Sequence, residues 1–233
     1  MQKMMFNEQC GLEQAVIEGW KDMTRRIEKS LSQLPTETGE YETITVQWCL
    51  EYFLVRKYYK AAILEEYHVT PKFSVGEVVA VAQSYKDIDE RSVVGYEDAS
   101  DIQPGMVRPI FATDSAGWTN KMFVRADLMP YKFEITDVKL QRLQDISDED
   151  CLREGIQSVR VPDGCVYVAG GKKISDDDRK RILSGELELA KQCVFLSPTT
   201  AFAALIDKVS GKGTWERNPW VLAYEFKLCK EAF

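Results

Sequence analysis

The sequence predicts an α+β fold: a small, bent, mostly antiparallel β-barrel decorated by helices and long insertions. Three observations lead there. Strand-like and helix-like segments are mixed without the repeating strand–helix rhythm of a Rossmann-type sheet. The clearest strand pattern, Tyr131–Leu143, alternates Phe133 and Ile135 with polar residues and then jumps phase to Val138 and Leu140. That jump predicts a β-bulge near Thr136-Asp137, and bulges bend strands as a small closed barrel requires. The chain is also long enough, at 233 residues with 45% apolar content, to bury a core without disulfide or metal.

Taken in order, Leu12, Ala15 and Val16 recur at helical spacing, so a short helix is expected to end near Gly19, a residue tolerant of positive φ. Gly19–Ile27 then reads as a basic turn that delivers Lys21, Thr24, Arg25 and Arg26 together. Residues 28–45 are polar and read as a connection. In 46–67, Leu50, Phe53, Leu54, Ala61 and Leu64 can share one broad helical face, widened by Trp48, Tyr52, Tyr58, Tyr59 and Tyr67. A packing helix is the expectation there, ahead of an aromatic ligand platform.

Pro71–Gly76 reads as a turn, and Glu77–Ser84 as a buried strand built on Val78, Val79, Val81 and Ala82. Residues 86–117 read as a long acidic loop. Trp118–Met129, with Met122, Phe123 and Val124, leads into the Tyr131–Leu143 strand and is expected to pack beneath it. Ser147 caps a short helix whose first turn is acidic, and Gly155 stops it. Glu154 therefore falls in the last turn, where a negative charge is disfavoured by a few tenths to ~1 kcal/mol. A locally broken rule of this kind is a weak pointer to function, against the plainer reading of a solvated glutamate. One or two short strands are expected in Val159–Val168, a helix in Ser175–Gln192, another from Ser197-Pro198 through Val209 to Gly211 and Gly213, and a final strand over Trp220–Leu228.

Composition narrows the chemistry. The net charge is −7, so long-range attraction to nucleic acid is weak, and a basic pocket would have to be local. The six cysteines contain no C-x-x-C pair, and His68 is the lone histidine. A zinc site, a secreted disulfide framework and a Ser-His-Asp triad are all disfavoured, and no metal or cofactor is expected. No run approaches the ~20 apolar residues of a membrane helix, and the apolar N-terminal stretch is too short for a signal peptide, so a cytoplasmic location is expected. Lys212 in Gly211–Thr214 is not a Walker A lysine: Gly213 follows it where Ser or Thr is required, and the segment follows a helix.

Five segments in order carry a resemblance. They are Gly19, Lys21, Thr24, Arg25 and Arg26 in a G-x-K-x-x-T-R-R pattern; Phe73–Val79; Glu134–Val138 with Leu143–Ser147; Glu154-Gly155-Ile156; and Asn218–Val221 through Glu225-Phe226. Together they resemble the ASCH domain, a branch of the PUA-like superfamily, in the form of its longer phage- and prophage-associated members. The resemblance covers about half the chain. It implies a single PUA-like barrel domain over residues 1–233, with insertions at about 28–70, 86–117 and 157–195. It also implies a cleft beside the first helix. Small bacterial ASCH proteins deacetylate N4-acetylcytidine using a lysine, a threonine and a glutamate, and these match Lys21, Thr24 and Glu154. RNA binding has been proposed for the family as well.

Two functions are therefore expected. In the first, an amidohydrolase, Thr24 attacks the amide carbonyl, Lys21 accepts a proton if neutral, Glu154 orients the lysine or protonates the leaving amine, and Arg25 or Arg26 stabilises the oxyanion or binds phosphate. In the second, a non-catalytic RNA- or nucleotide-binding module, Lys21, Arg25 and Arg26 contact phosphate while Trp20 or Trp118 stacks on a base. A phage-associated accessory role, with the aromatic 46–67 segment as partner surface, is a third reading. The expected partners are a small nucleoside-like ligand or short RNA. The motif and Glu154 are expected to converge on one pocket.

Overall fold

A computed structural model describes residues 1–36, 38–94, 111–162, 164–170, 173–184 and 194–229. In chain order the elements are β1 (Gln2–Met4), α1 (Leu12–Ile17), β2 (Met23–Ile27), β3 (Glu42–Cys49), β4 (Tyr52–Tyr59), β5 (Ala62–Val69), β6 (Val78–Val81), α2 (Tyr85–Val94), β7 (Lys132–Arg142), α3 (Asp148–Arg153), β8 (Ile156–Val161), β9 (Gly164–Ala169), α4 (Asp176–Leu183), β10 (Val194–Phe195), α5 (Pro198–Ser210), α6 (Thr214–Arg217) and β11 (Trp220–Leu228). The fold is mixed α and β with mostly antiparallel pairing, and no closed barrel is found among the described strands. No described helix is long and apolar enough to cross a membrane.

The chain forms two compact units. One holds Met1–Phe6, Val78–Glu134 and Leu228–Phe233. In it β1 runs parallel to β6, with Lys3 opposite Ala80, and β6 pairs antiparallel with the start of β7. Ala80, Ala82, Ile88, Val124 and Met129 make its core. The Lys3 ammonium ties down the lead-in to β7 by donating to the carbonyls of Lys121, Met122 and Val124. Val124 and Met129 are thus buried in this core with Ala80, Ala82 and Ile88, whereas Met122 and Phe123 are exposed. The expected 86–117 loop is helical at its start, because Ser84 and Asp87 cap α2 reciprocally. Residues 95–110 lie outside the described residues, as does the end of the expected Ser175–Gln192 helix beyond residue 184.

The other unit holds Asn7–Glu77 and Ile135–Lys227. Here β11 lies between β7 and β2. The expected Gly19–Ile27 turn is corrected: only its first residues turn, and Met23–Ile27 is a strand paired along its whole length with β11, from Met23–Glu225 to Ile27–Val221. That ladder satisfies the backbone of a segment whose side chains are too polar to announce a strand. Along β7 the burial phase shifts between Ile135 and Val138, where the sequence pattern shifts.

The expected aromatic helix over 46–67 is overturned. β3, β4 and β5 form a separate antiparallel meander, in full register from Glu42–Tyr59 to Cys49–Tyr52. Its β-branched and aromatic content fits a pleated surface better than a helix. The reversals carry no glycine: Leu50, Lys60 and Ala61 take positive φ (59°, 46° and 67°). The Val159–Val168 strands are β8 and β9, joined antiparallel and extended by β10. The helices expected from Ser147 and from Ser197 are α3 and α5, each capped by that serine. Gly211 ends α5 as expected, whereas Gly213 is the N-cap of α6.

Candidate functional site

Lys21 sits between α1 and β2. After Gly19, at φ +75°, the N–H groups of Trp20 and Lys21 both donate to the Ala15 carbonyl, so the chain reverses tightly over the end of α1. The Asp22 N–H then donates to the Arg153 carbonyl at 3.2 Å, joining the approach to β2 to the end of α3. Lys21 is thereby turned inward and is only 2% exposed.

Its ammonium donates to the carbonyl of Met23 at 2.6 Å, the carbonyl of Glu154 at 2.7 Å and Glu154 Oε2 at 2.8 Å. Three donors meet three acceptors, so the charged form is fully satisfied. Burial still pushes the Lys21 pKa below the ordinary lysine value, and the adjacent Glu154 carboxylate pulls back against it.

Glu154 is the C-cap of α3 and is buried. Gly155 follows at φ +105°, and a Cβ there would stand 3.2 Å from Leu12 Cδ2 and 3.6 Å from Lys21 Cδ. The positive φ calls for a glycine, and a Cβ would also press on Leu12. The second carboxylate oxygen of Glu154 accepts from Arg25 Nη1 at 3.0 Å, while Arg25 Nη2 donates to Asp150 Oδ2 at 2.8 Å. Arg25 therefore clamps two carboxylates spaced i, i+4 on α3, and its guanidinium stands 5.9 Å from the Phe202 ring of α5. Two cations and two anions make a buried, charge-balanced cluster that binds β2 to α3. A second set continues from it: Arg153 donates to Asp22 at 2.9 Å and Glu225 at 3.1 Å, and Glu225 accepts from Lys139 at 2.7 Å.

Strand alternation puts Thr24 and Arg26 on the face of β2 opposite to Met23 and Arg25. Thr24 is 6% exposed and lies across from Tyr224, whose hydroxyl accepts from the Lys72 N–H at 3.1 Å. The three acceptors of Lys21 do not include Thr24. Arg26 is half-buried; desolvation lowers its pKa, with Glu154 and Tyr224 acting in the opposite direction. Trp20 is half-buried and donates from Nε1 to Glu18 at 3.0 Å. Trp118 belongs to the other unit.

The structure thus brings Lys21, Arg25 and Glu154 into direct contact and puts Thr24 and Arg26 on the adjoining strand positions. Asp150, Asp22, Arg153 and Glu225 were missed. Asp150 alone had a legible signal, its i, i+4 spacing to Glu154 on a short capped helix. Among the described residues no group of His, Cys, Asp and Glu could hold a metal ion. Cys151 is buried, and desolvation raises its thiol to about 12, which disfavours the reactive thiolate.

No protein-family model, curated protein or solved structure matches this chain. The cluster's own chemistry is therefore the ground for a functional reading. Of the parts acyl transfer requires, the cluster holds a lysine with a lowered pKa and a carboxylate that fixes it, while the Thr24 hydroxyl stands outside the hydrogen bonds of Lys21.

Proposed function

We propose that the chain is an ASCH-like protein of the PUA-like superfamily, acting as an amidohydrolase on an N4-acylated cytidine-like nucleoside. The single observation carrying this reading is the Lys21–Glu154 contact, 2.8 Å across a sequence separation of 133 residues. The two positions stand out in the sequence for different reasons, one by the G-x-K-x-x-T pattern and one by its place at a helix end. In the proposed reaction Lys21 first gives up a proton to solvent, which its burial favours, and turns from the carbonyls toward Thr24. The Thr24 Oγ attacks the acyl carbon, and its proton passes to Lys21. The C–N bond breaks, and that proton moves to the exocyclic amine of the base. Water then cleaves the acyl-threonine. Glu154 positions Lys21 throughout, and Arg26 on the Thr24 face stabilises the oxyanion. No cofactor or metal enters the scheme.

The test is release of cytidine from N4-acetylcytidine by the purified protein. We expect turnover by the wild type, and a loss of at least ~100-fold in Thr24→Ala with an unchanged circular dichroism spectrum. Absence of turnover across a panel of acylated nucleosides would sink the proposal.

One observation favours a second reading. Lys21 has all three protons engaged and Arg25 is balanced by Asp150 and Glu154, so the cluster also suits a rigid support with no chemistry. The half-buried Arg26 and Trp20 would then contact a nucleotide or short RNA. Binding that weakens with salt and falls in Arg26→Ala, without turnover, would establish it.

A further inference from the structure

The β3–β4–β5 meander has two edges, and they are built differently. β5 carries Glu65 and Glu66, and its pairing with β4 is irregular between Lys57 and Tyr58. Charges and bulges are the devices by which an edge strand resists further pairing. β3 has neither. From Thr43 to Cys49 it contains no charge, no proline and no irregularity, and it is in register with β4 over all eight residues. β4 is its sole strand neighbour among the described residues. On one face it carries Ile44, Val46 and Trp48, of which Val46 is 38% and Trp48 48% exposed. These last two also line a groove of about 690 Å³ with Val138 and Leu140.

We propose that β3 is a homodimerisation edge, pairing antiparallel with β3 of a second copy about a two-fold axis at Val46. An edge of unpaired N–H and C=O groups is complementary to another extended backbone. The side chains decide for a second copy of this chain. With Val46 opposite itself, Ile44 of one copy faces Trp48 of the other on the apolar face. On the polar face Thr45 meets Gln47 and Thr43 meets Cys49. The one charged residue on β3, Glu42, lies beyond the last paired position at the far end from the axis and is already neutralised by Lys57 at 3.0 Å. Apolar groups oppose apolar ones, polar oppose polar, and no like charges are juxtaposed. The product is a six-stranded sheet in which β5 and its glutamates form both outer edges.

Analytical ultracentrifugation of the full chain over a concentration series tests this. We expect a concentration-dependent dimer that reverts to monomer in Val46→Lys, where two ammonium groups would meet on the axis. Ile63→Lys on the exposed β5 edge should leave the dimer intact. A Val46→Cys variant should cross-link to itself under mild oxidation, since directly opposed residues lie ~4.5–5.5 Å apart at Cα, within disulfide reach. Peptide mapping would place the new disulfide at position 46 of both copies and distinguish it from any bond made by the natural cysteines. A wild type that stays monomeric at all concentrations would overturn the proposal. So would a dimer that survives Val46→Lys and is lost in Ile63→Lys.

Discussion

Glu154 ends a helix, where the backbone dipole disfavours a carboxylate, and two cations reverse that preference. Lys21 and Arg25 each take one of its oxygens, at 2.8 and 3.0 Å, in a site with almost no solvent. Neutralising this carboxylate leaves two buried cations short of charge. Glu154→Gln is therefore expected to lower stability by about 3–5 kcal/mol, the usual cost of breaking a buried pair from one side. Asp150→Asn should cost less, because Asp150 is partly solvated and touches Arg25 alone within the cluster. Urea unfolding of both variants measures the difference, and equal losses would show that Glu154 is not the centre of the cluster. Thiol chemistry gives a second residue-scale test. Cys151 is fully buried with its pKa raised to about 12, whereas Cys165 is exposed. Brief iodoacetamide treatment at pH 8 should modify Cys165 and spare Cys151, as read by peptide mass spectrometry. Rapid modification of Cys151 in the folded protein would mean that α3 opens readily.

At the scale of elements, most of the fold was legible where strands and helices carry their usual punctuation. Ser147 and Ser197 mark α3 and α5, and the phase jump marks β7. The meander was misread because its turns lack that punctuation. Leu50-Glu51 and Lys60-Ala61 reverse the chain with none of the Gly, Asn, Asp or Pro residues that signal a turn. Without a visible break, Leu50, Phe53, Leu54, Ala61 and Leu64 fell by coincidence on a helical period. β2 was hidden for a different reason: its identity as a strand comes from pairing with β11, nearly 200 positions later, and its buried arginine is explained by carboxylates on α3. Of the site, Lys21, Thr24 and Glu154 could be named from sequence, but which groups share hydrogen bonds could not, since strand alternation separates Thr24 from Arg25. The unpunctuated turns also yield a prediction. Ala61 holds φ 67°, a conformation costing a non-glycine residue about 1–2 kcal/mol, partly offset by the flexibility glycine brings to the unfolded chain. Ala61→Gly should raise stability by about 0.5–1 kcal/mol in urea unfolding, and a net loss would mean that this turn is held by more than its backbone.

For the molecule as a whole, acidity and local balance have to be reconciled. The chain carries a net charge of −7, yet the groups joining β2, α3, β7 and β11 pair nearly one to one. The excess negative charge is therefore spread outside this junction. Glu225 is the informative group. Burial raises its pKa, but hydrogen bonds from Lys139 and Arg153 outweigh that, and the net shift is downward. A carboxylate with a depressed folded-state pKa binds fewer protons in the native state than in the unfolded one. Its contribution is complete above the ordinary glutamate value of about 4.3 and disappears as pH falls through the folded value. Glu225→Gln mimics the protonated side chain. Wild type should accordingly be more stable than Glu225→Gln at pH 7, and the two should converge as the pH is lowered beneath the ordinary glutamate range. Urea midpoints of both proteins at pH 7, 5, 4 and 3 measure this. A stability gap that stays constant over the series would mean that Glu225 acts through shape and packing, and that the Lys139 and Arg153 contacts contribute no net electrostatic stabilisation.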